Sequence, residues 1–174
     1  SRENPKDARL EFNRGDALYR NGQYSDAVDA FISALKSKDT ELQADSFYNL
    51  GNTYNKMGEN RFETNPKDTR LLWEQGIKYF DNAAIVNEEH ENATYNAQAL
   101  RDRLESILRT LTVEPLPAEG GSVEGGGRFA VGEKTIVKAK VNEGWRWDGW
   151  RCETPENIEN PDKETTTVTV AGDI

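Results

Sequence analysis

The sequence predicts an α-helical domain followed by a small antiparallel β domain, mainly because the composition changes along the chain. Up to Thr110 there are five glycines and 12 Val, Ile or Thr residues, whereas the 64 residues from Leu111 contain nine and 17. β-branched residues favour strands over helices. The segment from Glu114 to Gly121 also carries two prolines and two glycines, which a helix interior does not tolerate. We therefore place a helical domain at residues 1–110 and a β domain at 111–174.

Composition argues against several classes of function. The chain has 174 residues and a formal net charge of -9, which disfavours nucleic acid or an anionic membrane as a partner. One histidine and one cysteine leave little material for a catalytic triad, a disulfide framework or a metal cage. No run of 18 apolar residues is present, so we expect no membrane span in this chain. We expect no enzyme activity, no cofactor and no metal.

The first domain contains an internal repeat. Phe12-Asn-Arg-Gly15 recurs as Tyr48-Asn-Leu-Gly51, 36 residues later, and in weaker form as Tyr95-Asn-Ala-Gln98. The first copy continues with glycine, alanine and aromatic residues in a set order: Gly15, Leu18, Gly22, Tyr24, Ala27, Phe31 and Ala34. This order resembles the tetratricopeptide repeat, a helix-turn-helix unit of about 34 residues. The resemblance implies an α-solenoid in which the small residues let paired helices approach closely.

The second copy carries an insertion. Its helix B, marked by Gly76, Phe80 and Ala83, arrives 13 residues late. Asn65 followed by Pro66 is a strong helix start, so we predict a helix from about Pro66 to about Val86. The insertion begins after Gly58, which we read as a turn, and Trp73 lies on the added turns. We expect Trp73 to pack within the chain, against Phe62 or the β domain; a second docking surface is the alternative. The predicted elements are repeats at about 8–41 and 44–88 and a capping helix at about 92–110.

Short phrases within this domain resemble one group of tetratricopeptide proteins. Leu35-Lys-Ser-Lys-Asp-Thr-Glu-Leu-Gln-Ala44, the following Tyr48-Asn-Leu-Gly-Asn52 and the late Leu72-Trp-Glu-Gln75 are similar to proteins of bacterial aerotolerance-type (Bat) operons. The resemblance implies a location in the periplasm or at the cell surface. It also implies a protein or peptide partner, such as a von Willebrand-type envelope protein.

The β domain carries strand and turn signals in a recognisable order. We predict strands at Leu111–Pro115, Thr135–Val141 and Thr165–Val170, with a glycine-rich hairpin between Glu119 and Gly127. Together with Gly144-Trp-Arg-Trp-Asp-Gly-Trp150, this order resembles the divergent internalin-type B repeat of bacterial surface proteins. That family pattern has one more strand after Gly172-Asp173, so the module at 111–174 is expected to be truncated or completed in another way.

Four other features have two interpretations each. Trp145, Trp147 and Trp150 either stack on a sugar ring or, with Trp145 and Trp147 on one face of a strand, belong to the core, which we favour. Gly125–Gly127 lacks the Lys-Ser/Thr of a phosphate loop, so we expect a turn. His90 lies among acidic residues, and a solvated loop is favoured over a metal site. Cys152 has no histidine nearby in sequence and is expected to be an inert thiol.

The repeat resemblance also assigns a partner-binding groove. In tetratricopeptide domains the first helix of each repeat lines a concave face, and amides beside aromatic rings suit an extended peptide. The alternative is that these amides only pack neighbouring helices. The matching positions are Phe12, Asn13, Asp16, Tyr19, Tyr48, Asn49, Asn52, Asn55, Tyr95 and Asn96.

The expected function is a non-enzymatic scaffold of the bacterial cell envelope that binds a peptide or protein in this groove. The alternative is a carbohydrate- or cell-wall-binding surface protein that acts through the tryptophans of the β domain. A binder of heat-shock carboxylates is disfavoured, because Phe12 and Asp16 stand where such clamps carry Lys and Asn.

Overall fold

The computed structural model describes residues 5–172 and divides the chain into two compact units. The helical unit contains the residues up to Thr64 and Asp68–Ser106. The β unit begins at Ile107, and Asn65–Lys67 are grouped with it. The order of the two units agrees with the predicted change from helix to strand.

The helical unit consists of five helices. They are α1 (Pro5–Arg20), α2 (Tyr24–Ala34), α3 (Thr40–Glu59), α4 (Pro66–Val86) and α5 (Glu91–Ile107). The turn between α1 and α2 contains Gly22, whose φ of 74° suits glycine. Asp39 caps α3 by accepting the backbone N–H groups of Glu41 and Leu42. The prediction for α4 from Asn65-Pro66 is confirmed at both ends, whereas α3 begins four residues before the predicted start of repeat two, at Thr40 instead of 44.

Two helix pairs are held by the same contact between a glycine and a phenylalanine. A Cβ added at Gly15 would lie 2.7 Å from two ring carbons of Phe31, and one at Gly51 would lie 2.5 Å from the ring of Phe80. Both rings are almost fully buried. Since an ordinary carbon–carbon contact is about 3.5–4.0 Å, only glycine admits these rings. The predicted close approach at Gly15 and Gly51 is therefore confirmed.

The third copy of the repeated string lacks this contact. Gln98 occupies the position of Gly15 and Gly51, and it is an exposed residue whose side chain donates to Asp102 at 2.7 Å. Strand β1 (Leu108–Leu111) follows α5 directly. No further helix therefore packs on α5 within the described part of the chain in the way that α4 packs on α3.

The insertion lengthens two helices and buries Trp73 between them. Trp73 is fully buried, its ring stacks on Phe62 with centroids 5.9 Å apart, and its indole N–H donates to the carbonyl of Asn55 at 3.3 Å. Packing within the chain is thus confirmed. The interpretation of Gly58 as a turn was wrong: it is buried inside α3, and a Cβ there would clash with the Trp73 ring. The inserted residues let α3 run on and let α4 begin early, so that Trp73 closes over Gly58.

The capping helix is shorter than predicted. α5 ends at Ile107, and residues 108–111 form β1 instead of a last helical turn. β1 pairs antiparallel with β3 (Gly127–Ala130), which gives its backbone groups partners outside the helix. The predicted strand at Leu111–Pro115 was accordingly placed too late.

The β unit contains two small antiparallel sheets. One pairs β1 with β3; the other has the order β2 (Gly121–Glu124), β4 (Lys134–Val141) and β5 (Thr165–Thr169). The predicted strands at Thr135–Val141 and Thr165–Val170 are confirmed. The predicted glycine-rich hairpin was wrong, because β2 and β3 lie in different sheets. The expected additional strand falls at or beyond Asp173, outside the described residues.

The core of the β unit lies where the strands turn their apolar side chains inward. Leu111, Val137 and Val168 are buried together with Ile158 and Val170. The glycine run makes the turn from β2 to β3, as predicted. Gly125 has a φ of 106°, and a Cβ there would clash with the carbonyl oxygen of Ile136, so no other residue fits this turn. Cys152 packs against the same core.

Candidate functional site: the face formed by α1, α3 and α5

Helices α1, α3 and α5 lie side by side, and their solvent-facing residues define what we call the groove face. Arg9 of α1 lies 3.7 Å from Asp39 at the start of α3. Asn96 of α5 donates to the hydroxyl of Tyr48 of α3 at 3.0 Å, and Arg103 of α5 donates to Glu59 of α3 at 2.6 Å. The first helices of the predicted repeats are therefore neighbours, with α3 in the middle.

Three aromatic residues assigned to the groove mainly pack helices together. Phe12 meets Phe31 edge to face with ring centroids 5.8 Å apart, and Tyr19 meets Tyr24 at 5.6 Å. Tyr48 packs against Phe80 at 5.6 Å. All three assigned rings are half-buried, and burial raises the pKa of the Tyr19 phenol. These rings pack against neighbouring helices beneath the groove face and expose little surface to a partner.

Two of the assigned amides also face inward. The side chain of Asn96 donates a hydrogen bond to the hydroxyl of Tyr48, so it has the helix-packing role that was the alternative to peptide binding. Asn55 is half-buried: its side-chain oxygen is buried and has no hydrogen-bond partner in the described part of the chain. A ligand on the surface cannot reach that oxygen.

The other assigned residues present polar or aromatic surface to solvent. Asn13 is exposed and Asp16 is bonded to Arg20 at 2.9 Å. Asn49 and Asn52 are half-buried, and within residues 5–172 neither side-chain amide has a hydrogen-bond partner. Tyr95 is 75 % exposed. Amides without partners can bind the backbone of a peptide, and an accessible phenol can contribute a further contact.

The sequence analysis did not single out Asp45, which lies on the same face of α3 as Asn49 and Asn52. Asp45, Asn49, Asn52 and Lys56 follow one another at helical spacings of four, three and four residues, so they share one face of α3. The side chain of Asp45 is 43 % exposed. The signal was available in the sequence, as the helical spacing that Asp45 shares with Asn49 and Asn52.

His90 also has a role that the sequence did not indicate. The expectation of a solvated loop was wrong for this residue, because its side chain is largely buried and its ring lies 4.8 Å from that of Tyr48. His90 Nδ1 accepts the backbone N–H of Ala93 at 3.2 Å, which caps α5. The histidine thus fixes the start of α5 against α3.

The far end of α3 carries a cluster of charges around Glu59. Lys56 donates to Glu59 at 2.7 Å, and the guanidinium of Arg103 bonds Glu59 while lying 4.4 Å from the ring centroid of Trp73. Burial alone would raise the pKa of Glu59, but the hydrogen bonds from Lys56 and Arg103 outweigh it and hold that pKa below its usual value. Both cations at this end are therefore bonded to one carboxylate, and the three side chains together carry a formal charge of +1.

The prediction that the tryptophans of the β unit belong to its core is correct only for Trp150. Residues 144–150 are not a strand, so Trp145 and Trp147 do not share a strand face. Trp147 and Trp150 meet edge to face at 5.2 Å and donate to the carbonyls of Asp162 and Lys163. Only Trp150 packs against the core, whereas Trp145 is 45 % exposed.

Two kinds of site are absent from the described residues. No group of three or more His, Cys, Asp or Glu side chains in residues 5–172 is arranged to hold a metal ion. None of the five helices, over the same residues, has the length and apolar character needed to cross a membrane.

Comparisons with known proteins bear mainly on the β unit. A search of curated proteins finds no match for the chain, and no tetratricopeptide family model matches it. Residues 110–174 match the family model described as the divergent InlB B-repeat domain, which confirms the resemblance inferred from the tryptophan segment. This match suggests an extracellular or surface location. The β unit is therefore similar to the divergent InlB B-repeat domain, a bacterial surface repeat.

Proposed function

We propose that this chain is a non-enzymatic scaffold of the bacterial cell envelope, whose helical unit is a short tetratricopeptide solenoid. The observation that carries the proposal is the repeated glycine–phenylalanine contact. Gly15 with Phe31 and Gly51 with Phe80 join the helices of two successive pairs in the same way. Repeated close packing of this kind is how helical repeats stack into a solenoid.

The groove face is the proposed binding surface. Asn49 and Asn52 at its centre have amides without internal partners, and Asn13 and Tyr95 are exposed on the two flanking helices. An asparagine can donate to a backbone carbonyl and accept from a backbone N–H, so it binds extended peptides without regard to their side chains. The partner is an extended peptide or a protein segment in that conformation.

The location and the partner class rest on two resemblances. The match of residues 110–174 to a bacterial surface repeat supports an extracytoplasmic location. The phrases shared with Bat-type tetratricopeptide proteins, such as Tyr48-Asn-Leu-Gly-Asn52, support the periplasm or the cell surface. They also make a von Willebrand-type envelope protein a candidate partner.

The test is selection of random peptides displayed on phage against the full chain, followed by calorimetry with a selected peptide. Asn49→Ala removes a central amide and should weaken binding by roughly 2- to 10-fold, which is one net hydrogen bond. Asn82→Ala is the matched control, because Asn82 is exposed on α4, outside the groove face. Failure to select any peptide, or equal losses in both variants, contradicts the proposal.

A second candidate function is carbohydrate or cell-wall binding by the β unit. One observation favours it: the ring of Trp145 lies against Gly120, where an added Cβ would be 3.4 Å away, and remains partly open to solvent. A flat aromatic ring held in place is what a sugar ring stacks on. A glycan array with the full chain tests this, with Trp145→Ala as the variant and Leu116→Ala, another exposed apolar residue, as the control.

A further inference from the structure

Asp45 is a carboxylate on the groove face without a Lys or Arg partner in residues 5–172. Its nearest basic group is His90, whose Nε2 lies 3.8 Å from Asp45 Oδ1, beyond hydrogen-bond length. Nδ1 of the same ring accepts the backbone N–H of Ala93 at 3.2 Å, so that nitrogen is engaged within the chain.

Three cations elsewhere on the groove face are bonded to carboxylates. Lys56 is bonded to Glu59 at 2.7 Å, and Arg103 is bonded to the same carboxylate at 2.6 Å. Arg20 is bonded to Asp16 at 2.9 Å. A partner that approaches the middle of α3 therefore meets a carboxylate at Asp45 that has no Lys or Arg partner within residues 5–172, whereas these three cations are already bonded to carboxylates.

The spacing of polar groups along α3 sets the dimensions of a ligand. Asn49 and Asn52 lie four and seven residues beyond Asp45, or about 6 Å and 10 Å along the helix axis at 1.5 Å per residue. An extended peptide advances about 3.3 Å per residue. A side chain placed at Asp45 thus brings the peptide groups about two and three residues away to the two amides.

We propose that the groove face selects extended peptides that carry a lysine or arginine, with that side chain at Asp45 and the neighbouring backbone on Asn49 and Asn52. This inference rests on the proposed function and narrows it to basic ligands. The positive charge of such a ligand is complementary to Asp45, and Lys56, Arg103 and Arg20 are already bonded to carboxylates.

The experiment uses the full chain and the peptides selected from the random library. The expected result is enrichment of Lys or Arg at one position, with alanine at that position weakening binding about 2- to 5-fold, as for a solvent-accessible ion pair. Asp45→Asn should cause the same loss, and should cause almost none for the alanine peptide. Asp26→Asn, which removes an exposed carboxylate of α2, should bind the lysine peptide like the parent.

The outcomes separate the two proposals. The preference for basic peptides is overturned if the selected peptides show no enrichment of Lys or Arg, or if Asp45→Asn binds them as well as the parent does. Either result leaves peptide binding on the groove face uncontradicted. No selected peptide at all overturns the proposed function and this inference with it.

Discussion

Replacing Gly15 by alanine should have two opposing effects on stability, a gain in helix propensity and a clash with Phe31, whose sizes can be compared. Gly15→Ala in α1 should gain about 1 kcal/mol of helix propensity. The new methyl carbon, however, would sit 2.7 Å from two carbons of a ring that is 1 % exposed. Relief requires a shift of about 1 Å, since ordinary carbon contacts lie near 3.5–4.0 Å.

The ring of Phe31 has little room to shift, because Phe12 lies edge to face against it. Overpacking in such a core costs about 1–3 kcal/mol in general, and this site belongs to the upper part of that range. We therefore expect Gly15→Ala to destabilise the helical unit by about 1–2 kcal/mol after the propensity gain. For a unit of this size that is a fall in melting temperature of roughly 4–16 °C.

The assay is urea unfolding of the full chain followed by far-UV circular dichroism, which is dominated by the helices. Ala17→Gly calibrates the propensity effect, because Ala17 is exposed in the same helix. Gly51→Ala repeats the test in the second helix pair, where the added carbon would lie 2.5 Å from Phe80. The reasoning is refuted if Gly15→Ala stabilises the chain by as much as Ala17→Gly destabilises it.

Three further predictions concern the end of α3. Trp73→Ala should cost about 3–5 kcal/mol, because it empties a fully buried site; a urea midpoint like the parent's would contradict this. Asn55→Leu should be neutral or stabilising by about 1 kcal/mol in the same assay, since it removes a buried oxygen that lacks a partner. The pKa of Glu59 is lowered in the folded chain, so its ionised carboxylate stabilises the fold in full above the ordinary glutamate pKa. That stabilisation is lost as pH falls through the lowered pKa. Between neutral and acidic pH, Glu59→Gln should therefore lose less unfolding free energy than the parent. Urea unfolding at the two pH values measures this difference.

Local signals in the sequence predicted the parts of the fold that depend on backbone chemistry. Asn65-Pro66 marks the start of α4 because proline fits the first helical turn and is excluded from later ones. Gly15 and Gly51 were identified as close-packing positions because both end the same repeated string, Phe12-Asn-Arg-Gly15 and Tyr48-Asn-Leu-Gly51. Such signals depend on a few neighbouring residues, so one sequence contains them.

Features that depend on distant pairing could not be predicted in this way. β2 and β3 are adjacent in sequence and look like a hairpin, but each pairs with a strand from elsewhere in the β unit. α5 ends at Ile107 because β3 provides partners for the residues that follow. Likewise, the packing of α3 on its neighbours decides that Tyr48 contacts Phe80 and that the side-chain oxygen of Asn55 is buried. The amides of Asn49 and Asn52, on the same helix, have no hydrogen-bond partner within residues 5–172.

The burial of Trp73 also gives the protein an internal optical probe. Trp73 is the only tryptophan before residue 107, and the other three lie between 145 and 150. The fluorescence lost on Trp73→Phe therefore belongs to the helical unit, and the emission that remains belongs to the β unit. Comparing the two signals through one denaturant titration distinguishes a chain that melts in a single step from one whose helices and strands melt independently.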